Sequence, residues 1–338
     1  MIPKLINIFL WLFVLQTHAQ LHAQSVNAVS SVSITVSSMD DALAFYTKIL
    51  PFEKDTLFAL KDKNIQQLFN IQDTSLTIEI ARLHLGEEQI ELMEFHSKSG
   101  SGRKIPPDSH SNDLWFQHIA IVVSDMQKTY QQLLDNDIIH VSSSPQTLPD
   151  YLPAAAGISA FYFRDPDGHN LELINFPKGK GNPKWQDKGD KLFLGIDHTA
   201  IGIEFTKASL KFYKDLIGLD IAGNSENYGT EQEHLNQVFG AHLKITGLKA
   251  ESGIGLEFLD YIAPPGGRPY PADTKAKDIW YWHTSLKVKD AQNMYNKVRA
   301  TNARLISTGM INFNPAETGM HQGFIISDPD GHALFIND

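Results

Sequence analysis

The sequence predicts an α+β fold built from four copies of one βαβββ module. Three observations carry that prediction. First, an alternating strand headed by His recurs as "FQHIAIVVSD" at His118, "IDHTAIGIEF" at His198 and "YWHTSLKVKD" at His283. A fourth copy, "SSVSITVSSM", has Ser31 at its head. Second, each copy runs into a helix-like stretch and then into more strands, and in three copies the last strand carries a centred Glu: Glu91, Glu172 and Glu257. Third, the halves of the chain match at a nearly fixed offset. Ser31 to His198 is 167 residues, Glu91 to Glu257 is 166, His118 to His283 is 165, and "DPDGH" returns after 163. Chance similarity does not hold register across strands, connections and turns, so the chain is an internal duplication of a pair.

Composition bounds the function. The 338 residues are 42% hydrophobic and 20% charged, enough for two domains of ordinary size. A net charge of -10 argues against nucleic acid or an anionic membrane surface as partner. There is no Cys, which excludes disulfides, thiolate nucleophiles and Cys-ligated metal, so any metal must sit on His, Asp or Glu. Residues 1–23 read as a secretory signal: Lys4, an apolar run from Leu5 to Leu15, then small-residue cleavage sites at Ala19 or Ala23. That run is too short to span a bilayer comfortably. A secreted or periplasmic protein, free of the membrane once cleaved, is the expectation.

The elements follow in order. Module one (residues 27–98) opens with a strand over 29–37. In "MDDALAFYTKILPF", Ala42, Phe45, Tyr46 and Ile49 fall at helical spacing behind Ser38 or Asp40 as N-cap. The strands "SLTIEIARLHLG" and "EEQIELMEF" come next, then a Gly/Ser/Pro-rich tether, "SKSGSGRKIPPDSHSN", that reads as flexible. Module two (113–177) repeats the order, with Asp125 near its helix start and a Pro-rich loop before the hairpin "ISAFYFRDPDGHNLELINF". In the hairpin turn, Pro166 presets the backbone, Asp165 bonds ahead and Gly168 supplies positive φ. The polar stretch 179–191 reads as a linker between an N-terminal domain (27–178) and a C-terminal one (192–338). Module three (192–263) has a helix closed by Gly218, a polar loop, and strands "AHLKITGL" and "GIGLEFLDYI". A second tether, "APPGGRPYPADTKAKD", leads to module four (279–338).

Paired modules of this kind, together with the strings "FYTKILPF", "FYKDLIGL" and "YFRDPDGHNLEL", resemble the vicinal oxygen chelate (VOC) superfamily of glyoxalases, epimerases, extradiol dioxygenases and bleomycin resistance proteins. The resemblance covers residues 29–176 and 192–338. It implies that modules pair into cup-shaped half-barrels, with metal on the inner face and one ligand position on the first and the last strand of each module. Pairing in chain order gives an N-terminal cup offering Ser31, Glu91, His118 and Glu172, and a C-terminal cup offering His198, Glu257, His283 and Phe335. Each set then departs from four ligands at one position.

Two His and one carboxylate with open positions suit Fe, Zn, Mn or Ni, so His198, Glu257 and His283 form the first candidate metal site. Glu91, His118 and Glu172 form a second, and a second metal is allowed for. Glu172 and Glu257 are the candidate catalytic carboxylates, moving a proton on a C–H next to a carbonyl. Tyr281, Lys287 and Arg268 are candidates for substrate contact, with a solvated strand Lys as the plainer reading of Lys287. His169 and His332 belong to turn packing. The implied function is a metal-dependent lyase or isomerase of a small substrate with neighbouring oxygens, through a metal-stabilised enediolate. The alternatives are an extradiol-type dioxygenase and a metal-free binding protein. Self-association is left open.

Overall fold

The computed structural model describes residues 26–187 and 189–338; the signal-like segment 1–23 lies outside them. Module one comprises β1 (Val26–Val36), α1 (Met39–Ala44, prolonged by a wider turn over Phe45–Ile49), β2 (Glu53–Leu60), α2 (Lys63–Leu68), β3 (Thr77–Leu85) and β4 (Glu88–His96). Module two has β5 (Gln117–Val123), α3 (Met126–Leu134), the short β6 (Ile139–His140) and β7 (Gln146–Thr147), then β8 (Ser159–Arg164) and β9 (Asn170–Asn175). Module three has β10 (Phe193–Ile203), α4 (Thr206–Leu210, prolonged over Lys211–Ile217), β11 (Asp220–Tyr228), α5 (Thr230–Asn236), β12 (His242–Lys249), β13 (Ser252–Gly253) and β14 (Gly255–Ala263). Module four has β15 (Trp282–Val288), α6 (Ala291–Arg299), β16 (Arg304–Leu305), β17 (Ile311–Asn312), α7 (Pro315–Thr318), β18 (Gln322–Ser327) and β19 (Ala333–Asn337). Local chemistry sets the helix ends. Ser38, Asp125 and Asp290 accept from backbone N–H groups of the first turn, and Gly218 closes its helix at φ 101°.

The fold is α+β and carries four modules, but the modules do not pair in chain order. One sheet runs β16-β18-β19-β15-β1-β4-β3-β2 and the other β11-β12-β14-β10-β5-β9-β8-β6. Module one therefore shares a sheet with module four, and module two with module three. In each sheet the two first strands meet antiparallel at the centre: Ser33 opposite His283 in one, Ala200 opposite His118 in the other.

Modules one and two, and likewise three and four, instead pack through their backs. Tyr46 of module one donates to Asp165 in the "DPDG" turn of module two (3.2 Å), and Tyr213 of module three donates to Asp328 in the matching turn of module four (3.0 Å). One apolar core joins the back faces of both sheets, from Val32, Ile34 and Leu92 to Ile119, Phe161 and Phe258. Burial of that shared core stabilises the observed arrangement. His169 and His332 stitch the same boundary: their Nε2 atoms lie 2.7 Å from Ile279 O and 2.8 Å from Gly202 O.

Three further expectations change. The tethers are pinned. Arg103 of the first tether pairs with Asp278 and stacks on Trp280, and Arg268 of the second pairs with Asp113 and stacks on Trp115. Strands β2 and β11 went unread in the sequence because both are edge strands, largely exposed, with no apolar alternation. The linker holds Trp185, which is buried against Ala120 and Val122.

Candidate metal and substrate site

Exchanging the partners regroups the ligand positions. The β5–β10 sheet brings together His118, Glu172, His198 and Glu257, one from the first and one from the last strand of each of its two modules. Nε2 of His118 lies 3.1 Å from Oε2 of Glu172, which is also 3.6 Å from Nε2 of His198. Glu257 Oε2 is 3.5 Å from the same His198 nitrogen. Ligand atoms of His118, Glu172 and His198 all lie within 4.8 Å of one another. Both departures from the ligand pattern fall in the other sheet, which combines Ser31 and Phe335 with Glu91 and His283.

Two local features aim the ligands. The ladder between β10 and β5 shifts register between Ile196 and His198. This bulge turns Ile196 into the back core and lets consecutive residues, Asp197 and His198, both face the cavity. The alternation expected for Ile196, His198 and Ala200 therefore breaks at its first member. Asp197 Oδ2 stands 3.0 Å from His198 Nδ1, while its other oxygen accepts from Nε1 of Trp185. Such a carboxylate behind an imidazole fixes the ring and raises its basicity toward a metal.

The electrostatics favour a cation. Burial opposes charge on His198, but Glu257, Asp197 and Glu172 outweigh it and raise its pKa to about 10. Burial lowers His118 and raises Glu257, the latter against the pull of His198. Among the described residues no Lys or Arg hydrogen-bonds to Glu172 or Glu257. Buried His118 has neither ring nitrogen in hydrogen-bonding geometry, even with Glu172 at 3.1 Å. Two imidazoles and two carboxylates converging with no Lys or Arg beside them among the described residues are a donor set that suits a divalent metal.

The inner face of the other sheet is filled. Glu91 accepts from Nε and Nη2 of Arg82 (3.1 and 3.0 Å) and from Ser33 Oγ (3.0 Å). His283 lies within 6.1 Å, ring centre to ring centre, of Phe69, Tyr281 and Phe335, and burial depresses its pKa to about 3. The structure thus corrects both candidate sets: His283 does not meet His198 and Glu257, and Glu91 does not meet His118 and Glu172.

A cavity of about 760 Å³ opens above His118, Glu172, His198 and Glu257. None of the three expected substrate contacts lines it. Tyr281 is buried in the opposite sheet, Lys287 is exposed on β15, and Arg268 is held by Asp113 and Asp108. The lining comes instead from Tyr162 on β8, the 148–158 loop, the linker at 181–183, and β11 and α5. Asn227 on β11 and Gln232 on α5 were not singled out in the sequence, since neither sits in a strand or helix pattern that marks an inner face.

Comparison with known proteins agrees with this architecture. The sequence profile of the Glyoxalase/Bleomycin resistance protein/Dioxygenase superfamily matches residues 28–173 and 195–336, and the chain belongs to that superfamily. A 2-epi-5-epi-valiolone epimerase from Actinomyces sp is 30% identical over 154 residues, which are 45% of this chain and 81% of that protein. Two crystal structures of glyoxalase I variants from Zea mays share the fold. One has a TM-score of 0.60 and 14% identity, covering 93% of this chain and 94% of that one; the other has 0.58 and 13%, covering 93% of each.

Proposed function

We propose that the protein is a metal-dependent isomerase or lyase with a single centre at His118, Glu172, His198 and Glu257. The convergence of these four side chains on one sheet, with the second sheet plugged, carries the reading. A divalent cation held there would supply Lewis-acid stabilisation of negative charge on two neighbouring oxygens of a hydroxy-carbonyl substrate.

The chain's own residues do the rest. Glu257, whose side chain is 30% exposed against 6% for Glu172, reaches into the cavity and takes the proton from the carbon beside the carbonyl. Returning that proton to the other face gives epimerisation, and returning it to the adjacent carbon gives isomerisation. Glu172, buried against His118, stays as a fixed ligand. The epimerase relative favours this reading over ring cleavage by a dioxygenase, as does the second carboxylate. Export by the N-terminal segment is part of the proposal.

Metal analysis together with solvent exchange tests it. The metal-loaded protein in deuterated water should exchange the C–H protons of dihydroxyacetone, and Glu257→Gln should not. A protein that takes up no metal, or that takes it up and exchanges nothing, would overturn the reading.

A further inference from the structure

Beyond the four candidate ligands, the cavity is lined by two buried amide side chains whose carbonyl oxygens have no hydrogen-bond partner. Gln232 is 2% exposed and Asn227 4%; Oε1 of the first and Oδ1 of the second are buried without a partner, and both residues line the cavity. A buried acceptor left unpaired is costly, and a hydroxyl donor entering the cavity would satisfy it.

The orientation of Gln232 is set by a chain of contacts. Its Nε2 donates to Oδ1 of Asn236, whose Nδ2 donates to Tyr261 Oη at 2.6 Å. In this arrangement the end left without a partner is the carbonyl oxygen, an acceptor. The same position is apolar in the plugged sheet, where α2 turns Ile65, Leu68 and Phe69 inward. Charge points the same way. The cavity already contains Glu172, Glu257 and Asp197, and its one Lys or Arg among the described residues is Lys249, which is exposed.

We infer that this cavity selects an uncharged polyhydroxylated carbonyl compound, a keto sugar or keto-cyclitol, whose hydroxyl groups donate to Gln232 Oε1 and Asn227 Oδ1. The inference rests on the proposed function and narrows its substrate class. A phosphate or carboxylate group would meet acceptors and carboxylates instead of donors. Tyr162 and Leu259 in the lining offer apolar surface to the C–H face of such a ring.

Calorimetry on the metal-loaded full chain decides it, with myo-inositol and myo-inositol 1-phosphate as probes. myo-Inositol should bind, its phosphate ester at least about tenfold more weakly, and Gln232→Leu should weaken myo-inositol by about tenfold with metal content unchanged. Asn227→Leu, on the exposed edge strand β11, serves as the second variant if Gln232→Leu fails to fold. Equal or tighter binding of the phosphate ester, no binding of myo-inositol, or wild-type binding by the folded variants would overturn the inference. Exchange of dihydroxyacetone protons reports on the proposed function separately. If exchange persists while the polyol preference is missing, only this inference falls.

Discussion

Gly247 on β12 stands directly across the ladder from Glu257 on β14, and the corresponding pair in the other sheet is Arg82 and Glu91. One position thus separates a carboxylate clamped by a guanidinium from one left free beside an imidazole. A Cβ at Gly247 would lie 3.7 Å from Glu257 Oε1, ordinary contact, and Gly247 is not among the glycines with positive φ. Gly247→Arg should therefore fold and rebuild the clamp. Metal affinity should drop roughly 10- to 1,000-fold, the range over which an adjacent Arg shifts a carboxylate's proton affinity. Isothermal titration with Zn or Mn would show it. Arg82→Gly, in the plugged sheet, should leave that affinity unchanged.

Stoichiometry gives an independent check. Because Ser31 and Phe335 fall in one sheet and the four donors in the other, the chain should hold one metal ion. Elemental analysis should find about one equivalent in the wild type, and His118→Ala and His198→Ala should each lose it. His283→Leu and Glu91→Gln should keep it. Two equivalents, or loss of metal from His283→Leu, would contradict the assignment.

Much of this was legible in the sequence, and what was not has physical causes. The βαβββ modules follow from alternation and from register across the duplication, and the eight strand positions that frame the sites follow from the resemblance to the superfamily. The pairing of modules does not, because every module opens with the same kind of strand. The choice rests on the back-face core and on contacts such as Tyr46 with Asp165, which join distant segments. Asp197 was hidden by the bulge, since strict alternation sends it away from His198. Asn227 was hidden because "DIAGNSENY" is an edge strand whose side chains are mostly solvated and carry no period. Arg268 looked like a free cation in a loose tether, whereas buried Asp113 holds it.

Burial of His283 makes stability depend on pH. Burial among Phe69, Tyr281 and Phe335 holds it neutral, with a pKa of about 3 against an ordinary 6.5. Above pH 6.5 the folded and unfolded chains bind the same number of protons here. Below it the unfolded chain takes up a proton that the folded one refuses. Stability is therefore lost as pH falls from about 6.5 toward 3, at up to about 1.4 kcal/mol per pH unit from this group. His283→Leu, which fits the apolar surroundings, should flatten the urea-midpoint profile over that window. A variant with the wild-type slope would show that other groups set it.

Asp197 supplies the last prediction, because its two oxygens do different work. Trp185 has only an N–H to give, so it claims one oxygen as a donor. The other oxygen, 3.0 Å from His198 Nδ1, then takes the imidazole N–H. That keeps one proton on Nδ1 and aims Nε2 at Glu172 and Glu257, where a cation taking the place of the second proton would meet its lone pair. Asp197→Asn keeps the size but has one acceptor oxygen for two donors, so an NH₂ must face either the ring or the indole. Metal affinity should fall about 10- to 100-fold with little change in the unfolding midpoint, as expected for a residue that orients a ligand without being one. Trp185→Phe leaves the carboxylate free to serve His198 and should cost affinity less. If Asp197→Asn bound metal as tightly as the wild type, the tautomer of His198 would have to be set by something other than Asp197.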